Sequence, residues 1–207
     1  MARYTDARCR LCRRLGEKLY LKGEKCFTSC IFEKRPYPPG PRQTRRRKVS
    51  DRGLQWREKQ KARAVYGILE SQFRKYYEDA VRRPGVTGDT LLRTLEQRTD
   101  NVVYRLGFAD SRQQARQLVS HGLLAVNGRR TTIPSRILKV GDTVGWTGRG
   151  RKSQYYANLV ETVSSKAVSS WLSRDADAMS GRVNQPPEID EIGAKFNAAT
   201  IVEYYSR

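Results

Sequence analysis

The chain has 207 residues, with 41 Lys or Arg against 21 Asp or Glu, a formal charge of +20. That balance argues against an ordinary metabolic enzyme and for a polyanionic partner. No window of 18 apolar residues exists, so no membrane span or membrane partner is expected, and no apolar run follows the first basic residues as a secretory signal requires. The charge is uneven: residues 1–60 carry a net +12, residues 61–150 a net +8 and residues 151–207 none. The neutral last block is read as the face for protein contacts.

All four cysteines lie near the start, as Cys9-x2-Cys12 and Cys26-x3-Cys30 with thirteen residues between the pairs. Two close pairs joined by a loop let four thiolates converge on a tetrahedral ion. Arg8, Arg10, Arg13 and Arg14 surround the first pair, and positive charge is expected to lower thiol pKa values and favour the thiolate. One structural zinc per chain is expected at Cys9, Cys12, Cys26 and Cys30. An iron–sulfur cluster, redox-labile thiols and two disulfides are the alternatives, and disulfides fit poorly without an export signal. Four protein ligands leave no open position, so the metal is structural. It folds a segment that otherwise has little to bury.

Residues 35–41, with four prolines and one glycine, predict an extended connector. It leads to a basic arm, Arg42 to Lys48, suited to phosphate contacts. Ser50 or Asp51 caps a helix running to about Tyr66, where Gly67 interrupts it. Leu69, Phe73, Tyr76, Tyr77 and Ala80 recur at helical spacing and are read as core; Pro84 and Gly85 end that helix. Thr87 opens another helix, with Leu91, Leu92 and Leu95 on one side.

Asp100 is placed as the cap of a short helix burying Val102, Val103 and Leu106. Ser111 and Gln114 form a capping box for the next, which buries Ala115, Leu118 and Val119 and stops at Gly122. A strand over Leu123–Val126 follows. Asn127-Gly128 is the strongest short hairpin signal, with Arg129 and Arg130 directly after it, and a further strand ends near Trp146. Arg112, Gln113, Arg116 and Gln117 repeat at a spacing of four and predict one polar face that tracks phosphates. Arg129 and Arg130 are expected to face the same concavity, a surface suited to RNA read by shape, phosphates and 2′-hydroxyls.

The run S-R-Q-Q-A-R-Q-L-V-x-H-G-x-x-x-V-N-G resembles the RNA-binding module named after the fourth protein of the small ribosomal subunit. C-R-L-C-R-R, L-Y-L-K-G-E-K-C, R-x-Y-P-P-G, L-Q-W-R-E-K-Q-K, Y-G-x-L-E-x-Q-F-R-x-Y-Y, D-N-V-V-Y-R-L-G-F-A and the terminal E-Y-Y-S-R extend the likeness, in order, over nearly the whole chain. The sequence is identified as a member of the bacterial-type family of that ribosomal protein, and the four cysteines resemble its zinc-binding variant. Departures are Pro41-Arg42-Gln43 after P-P-G, Thr99 before D-N, Leu123 after H-G, and the basic stretch after Trp146.

The resemblance implies a non-enzymatic, cytoplasmic constituent of the small ribosomal subunit. It would bind the 5′ domain of 16S ribosomal RNA, nucleate assembly, and contact the fifth small-subunit protein at an interface affecting translational accuracy. It would also line the path by which messenger RNA enters, and it takes no small-molecule substrate. The implied fold is α+β: a zinc knuckle and basic arm (1–48), a helical domain (49–97), an inserted module of two helices and a small sheet (98–147), and a C-terminal segment (148–207) packing back on the helical domain. The implied RNA contacts are Arg3, Arg10, Arg13 and Arg14; Arg42, Arg45, Arg46, Arg47 and Lys48; Arg57, Lys59, Lys61 and Arg63; and Arg112, Gln113, Arg116, Gln117, His121, Asn127, Arg129 and Arg130. His121 is equally read as a helix-end cap. Two rivals remain: an RNA-modifying enzyme carrying the same module, for which no separate catalytic domain is visible, and a zinc-dependent DNA-binding regulator, for which no recognition helix or dimeric symmetry is evident.

Overall fold

The computed structural model describes residues 4–41 and 48–206. Helices α1 (Cys9–Leu15), α2 (Lys25–Thr28), α3 (Ile31–Lys34), α4 (Asp51–Tyr66), α5 (Glu70–Val81), α6 (Thr87–Glu96), α7 (Thr99–Arg105) and α8 (Arg112–Ser120) come first. Strands β1 (Leu124–Val126), β2 (Arg129–Arg130) and β3 (Thr143–Trp146) follow, then α9 (Gly148–Arg151) and α10 (Gln154–Thr162). Strands β4 (Leu172–Asp175) and β5 (Ser180–Val183) precede α11 (Ile189–Ile192) and α12 (Ala198–Ser206). Among the described residues no helix is long and apolar enough to cross a membrane. The mixture of helices and an antiparallel sheet agrees with the expected class.

The chain divides into two compact units, one of Met1–Leu92 with Ala194–Arg207 and one of Arg93–Gly193, with the boundary inside α6. This differs from the expected division. Most of the segment after residue 147 belongs with the module, and only its last residues join the helical unit.

In the helical unit, local chemistry sets the ends of α4 as expected. Ser50 Oγ accepts from Gly53 N, and Gly67 closes the helix at φ 64°, a left-handed conformation that costs glycine little. α12 packs along α4. At its start Ala198 lies so near Gly88 that a Cβ there would sit 3.2 Å from the alanine methyl. Phe73 and Tyr76 of α5 are core, as expected, while Tyr77 is half-buried; the Tyr205 ring stacks on Tyr77 at 4.6 Å and on Phe73 at 6.3 Å. The N-terminal segment has its own apolar cluster of Cys12, Leu15, Leu19 and Leu21 against Ala64. The expectation that it has little to bury is therefore corrected.

In the second unit a five-stranded antiparallel sheet runs β2-β1-β3-β5-β4. Three of these strands were expected; β5 and β4 extend the sheet from β3, with Thr143 opposite Arg182 and Val144 opposite Gly181. Close approach makes this pairing possible, since a Cβ on Gly181 would fall 2.4 Å from the Leu106 side chain. Trp171 and Leu172, expected to pack on the helical domain, instead join the core of this unit with Val103, Phe108, Leu124, Val144 and Trp146. α8 is capped as predicted: Ser111 Oγ accepts from Gln114 N at 3.3 Å, and Gln114 Oε1 accepts from Asp110 N at 2.8 Å. Asp100 does not cap α7. Its carboxylate turns inward to Arg98.

Candidate nucleic-acid interface

The module face is built where α8 meets the β1–β2 hairpin. The helix stops at Gly122 (φ 67°), and the hairpin turns through Asn127 (φ 51°) and Gly128 (φ 75°), the signature of a two-residue primed turn. The Arg130 guanidinium lies across Gly122, where a Cβ would come 2.2 Å from Nε. Hairpin and helix end therefore form one surface carrying exposed Gln117, His121, Arg129 and Arg130, with Gln113 half-buried beside them. Asn127 is exposed but occupied: its Nδ2 donates to Asp142 Oδ1 at 2.7 Å, and its Oδ1 accepts from Thr143 N at 2.8 Å. Its work is to fix the turn. Burial opposes ionisation of Asp142, but the bonds donated by Lys139 N and Asn127, with the charges of Arg136 and Lys139, hold its carboxyl below the ordinary range.

Arg112 and Arg116 depart from the expected outward face. Arg116 is buried, with Nη1 3.8 Å from Asp100 Oδ2. The same carboxylate accepts from Arg98 Nε at 3.0 Å and Nη2 at 2.8 Å. Arg112 donates from Nε to Asn101 Oδ1 at 2.6 Å, lies 3.7 Å from Glu96 Oε1 and stacks over Tyr104 at 4.6 Å. Glu96, fully buried, also accepts from Asn101 Nδ2 at 2.7 Å and from Arg105 at 2.9 and 3.1 Å. These arginines turn inward because two buried carboxylates must be matched by charge and hydrogen bonds.

The same correction applies in the helical unit. Lys59 is buried, 2.9 Å from Glu70 Oε1 and 4.4 Å from the centre of the Tyr204 ring. Arg63 Nη1 pairs with Glu70 Oε2 at 2.8 Å, and Lys61 sits between Glu17 (2.7 Å) and Glu58 (2.8 Å). Burial opposes the charge on Glu70, but hydrogen bonds from Tyr205 and Lys59 and the charges of Lys59 and Arg63 bring its pKa below the ordinary value. Arg13 binds the connector, donating from Nε to Tyr37 O at 2.9 Å and stacking over that ring at 5.0 Å. Arg10, Arg14, Lys48 and Arg57 are exposed. Arg3, Arg42, Arg45, Arg46 and Arg47 lie outside the described residues.

Exposed cations outside the expected set include Arg136, Lys139, Arg149, Arg151, Lys152 and Arg182 of the second unit. The R-G-R-K run after Trp146 was the available signal for three of them.

The four cysteines are free thiols, with Cys12, Cys26 and Cys30 buried. Burial, and then charge on Cys26, Cys9 and Cys30, push the Cys12 thiol up despite a backbone hydrogen bond from Leu19. The expected lowering by nearby arginines is therefore reversed at Cys12. Lys22 N donates to Cys26 Sγ at 3.3 Å. The donor set suits a soft or borderline metal, as four reduced sulfurs within mutual electrostatic reach, two of them holding backbone N–H groups. Among the described residues no three His, Cys, Asp or Glu side chains converge at metal-binding geometry.

Two family descriptions match the sequence: "Ribosomal protein S4/S9 N-terminal domain" over residues 3–96 and "S4 domain" over residues 97–144. Relatives named "Small ribosomal subunit protein uS4" are similar over the full length of both chains. They include those of Dehalococcoides mccartyi (50% identical), Pelotomaculum thermopropionicum (52%) and Nitratidesulfovibrio vulgaris (49%). With both descriptions matched in order and about half of all residues identical end to end, the chain belongs to the uS4 family of small ribosomal subunit proteins.

Proposed function

We propose that this protein is a structural, non-catalytic constituent of the small ribosomal subunit in the cytoplasm, binding small-subunit ribosomal RNA directly. The observation that carries this reading is end-to-end identity of about half with relatives named as that subunit's protein. The joined face of Gln117, His121, Arg129 and Arg130 supports it, because guanidiniums held on a rigid hairpin track phosphates at fixed positions. The RNA target is the 5′ domain of 16S RNA, and binding there nucleates assembly. The fifth protein of the small subunit and the messenger RNA where it enters are further partners in this reading.

The cysteines hold one structural zinc. Cys9, Cys12, Cys26 and Cys30 would be its ligands, and zinc would displace the proton that burial retains on Cys12. The chain's own contribution is to bury the sulfurs and aim backbone N–H groups at them.

The test of the main reading is direct. The purified protein should bind a 5′-domain RNA fragment far more tightly than duplex DNA at moderate salt, and it should co-sediment with small subunits. Equal affinity for the two nucleic acids would overturn it.

A further inference from the structure

We infer that the cavity between the start of the chain and α4 receives a single unstacked nucleobase of RNA. This rests on the RNA-binding reading above and adds a site to it. The cavity is about 290 Å³ and lies wholly within the helical unit. Its floor includes the buried side chains of Leu15 and Ile68. Its walls include two aromatic rings, Tyr4 and Trp56, and three guanidiniums, Arg8, Arg14 and Arg63; among the described residues no carboxylate lines it.

Three features select the occupant. The volume is at the small end of ligand pockets, enough for a base and its sugar and too small for an inserted helix. Trp56 is 40% exposed, although both other tryptophans are buried. A tryptophan left open beside a cavity is a stacking platform, and stacking accepts any base because every base has a π-face. The guanidiniums supply charge complementary to the phosphates on either side of a splayed nucleotide. An apolar side chain from a neighbouring protein would fill the floor but offer nothing to the exposed Arg14 guanidinium at the wall.

The experiment uses the full chain and two probes, an octamer of adenylate and the same octamer with abasic sugars. Trp56 fluorescence reads occupancy, since Trp146 and Trp171 are buried. The base-bearing octamer should quench Trp56, and the abasic one should not. Trp56→Leu, a change a solvent-facing helix position tolerates, should weaken binding of the adenylate octamer on the order of tenfold. The salt dependence should stay unchanged, because no phosphate contact is lost. Equal binding of the two octamers by the wild-type chain would overturn the proposal. So would full retention of adenylate binding by Trp56→Leu, or selective protection of Trp56 by a small-subunit protein and not by RNA. Binding of a 5′-domain RNA fragment, measured in parallel, separates the readings. If the fragment binds and the octamer does not, only the cavity proposal fails; if neither binds, the RNA-binding reading fails as well.

Discussion

Arg116→Ala and Arg130→Ala should separate the two kinds of arginine in the module. Arg116 is 9% exposed in its side chain and faces Asp100 at 3.8 Å. Truncating it removes one of two guanidiniums from a buried carboxylate that Arg98 still holds through bonds of 3.0 and 2.8 Å. The expected loss is therefore about 1–3 kcal/mol of folding stability, the range for a deprived buried polar group. That is less than the roughly 3–5 kcal/mol for a buried charge left with no partner. The folded fraction keeps its exposed cations, so the slope of log affinity against log salt should not change. Arg129 and Arg130 are both exposed. Replacing either should leave stability within about 0.5 kcal/mol and reduce that slope by about one per lost phosphate contact. Denaturant unfolding, followed at buried Trp146 and Trp171, measures the first quantity, and titration of a 5′-domain RNA fragment at several salt concentrations measures the second. If Arg116→Ala flattened the slope by a full unit while unfolding at the wild-type midpoint, the inward orientation of this arginine would be refuted.

Other outcomes follow from the same contacts. Glu70 titrates below its ordinary 4.5, so its contribution to the helical unit is complete above that pH and is lost as pH falls through the folded value. Glu70→Gln should flatten the acid limb of a stability–pH profile, and an unchanged limb would contradict the assignment. Gly150→Ala should destabilise the second unit by about 1–3 kcal/mol, because the new Cβ would lie 2.2 Å from the Leu123 carbonyl oxygen; an unaltered melting temperature would show that the backbone yields freely. Elemental analysis should find one zinc per chain, and a chelator should expose four reactive thiols and increase amide exchange over residues 9–30. Two disulfides with no metal would end the zinc reading.

Ser50, Ser111, Gly67, Gly122 and the Asn127-Gly128 turn behave as their residue types require, because each acts on its own backbone within three or four positions. Those elements were legible in the sequence. The direction of Arg112 and Arg116 was not. A spacing of four places them on one stripe of α8 but does not say whether that stripe meets water or a carboxylate. Glu96 and Asp100 decide it, from the end of α6 and the start of α7, more than ten residues upstream. Lys59 was misread in the same way, since its partner Glu70 lies beyond the end of its own helix. The pairing of β3 with β5 was equally hidden. It joins Thr143 to Arg182, and it depends on a glycine approaching Leu106, which no local pattern announces.

The charge of +20 is thus only partly turned outward. A surface that had merely to attract RNA would need no buried acids, since long-range attraction depends on net charge and would be strengthened by their removal. Buried Glu96 and Asp100 cost desolvation, half-buried Glu70 less, and each takes a defined set of donors in return. The first two sit among α6, α7 and α8, the helices that lead to Gly122, and Arg130 lies on that glycine. Inward charges therefore hold the helix whose end braces the hairpin, and the hairpin presents Arg129 and Arg130. Phosphate contacts carry no sequence information of their own, but they fix register when their donors are rigid. On that argument the acids buried in a basic protein serve recognition by position: they set where the exposed cations stand, at the expense of how many there are.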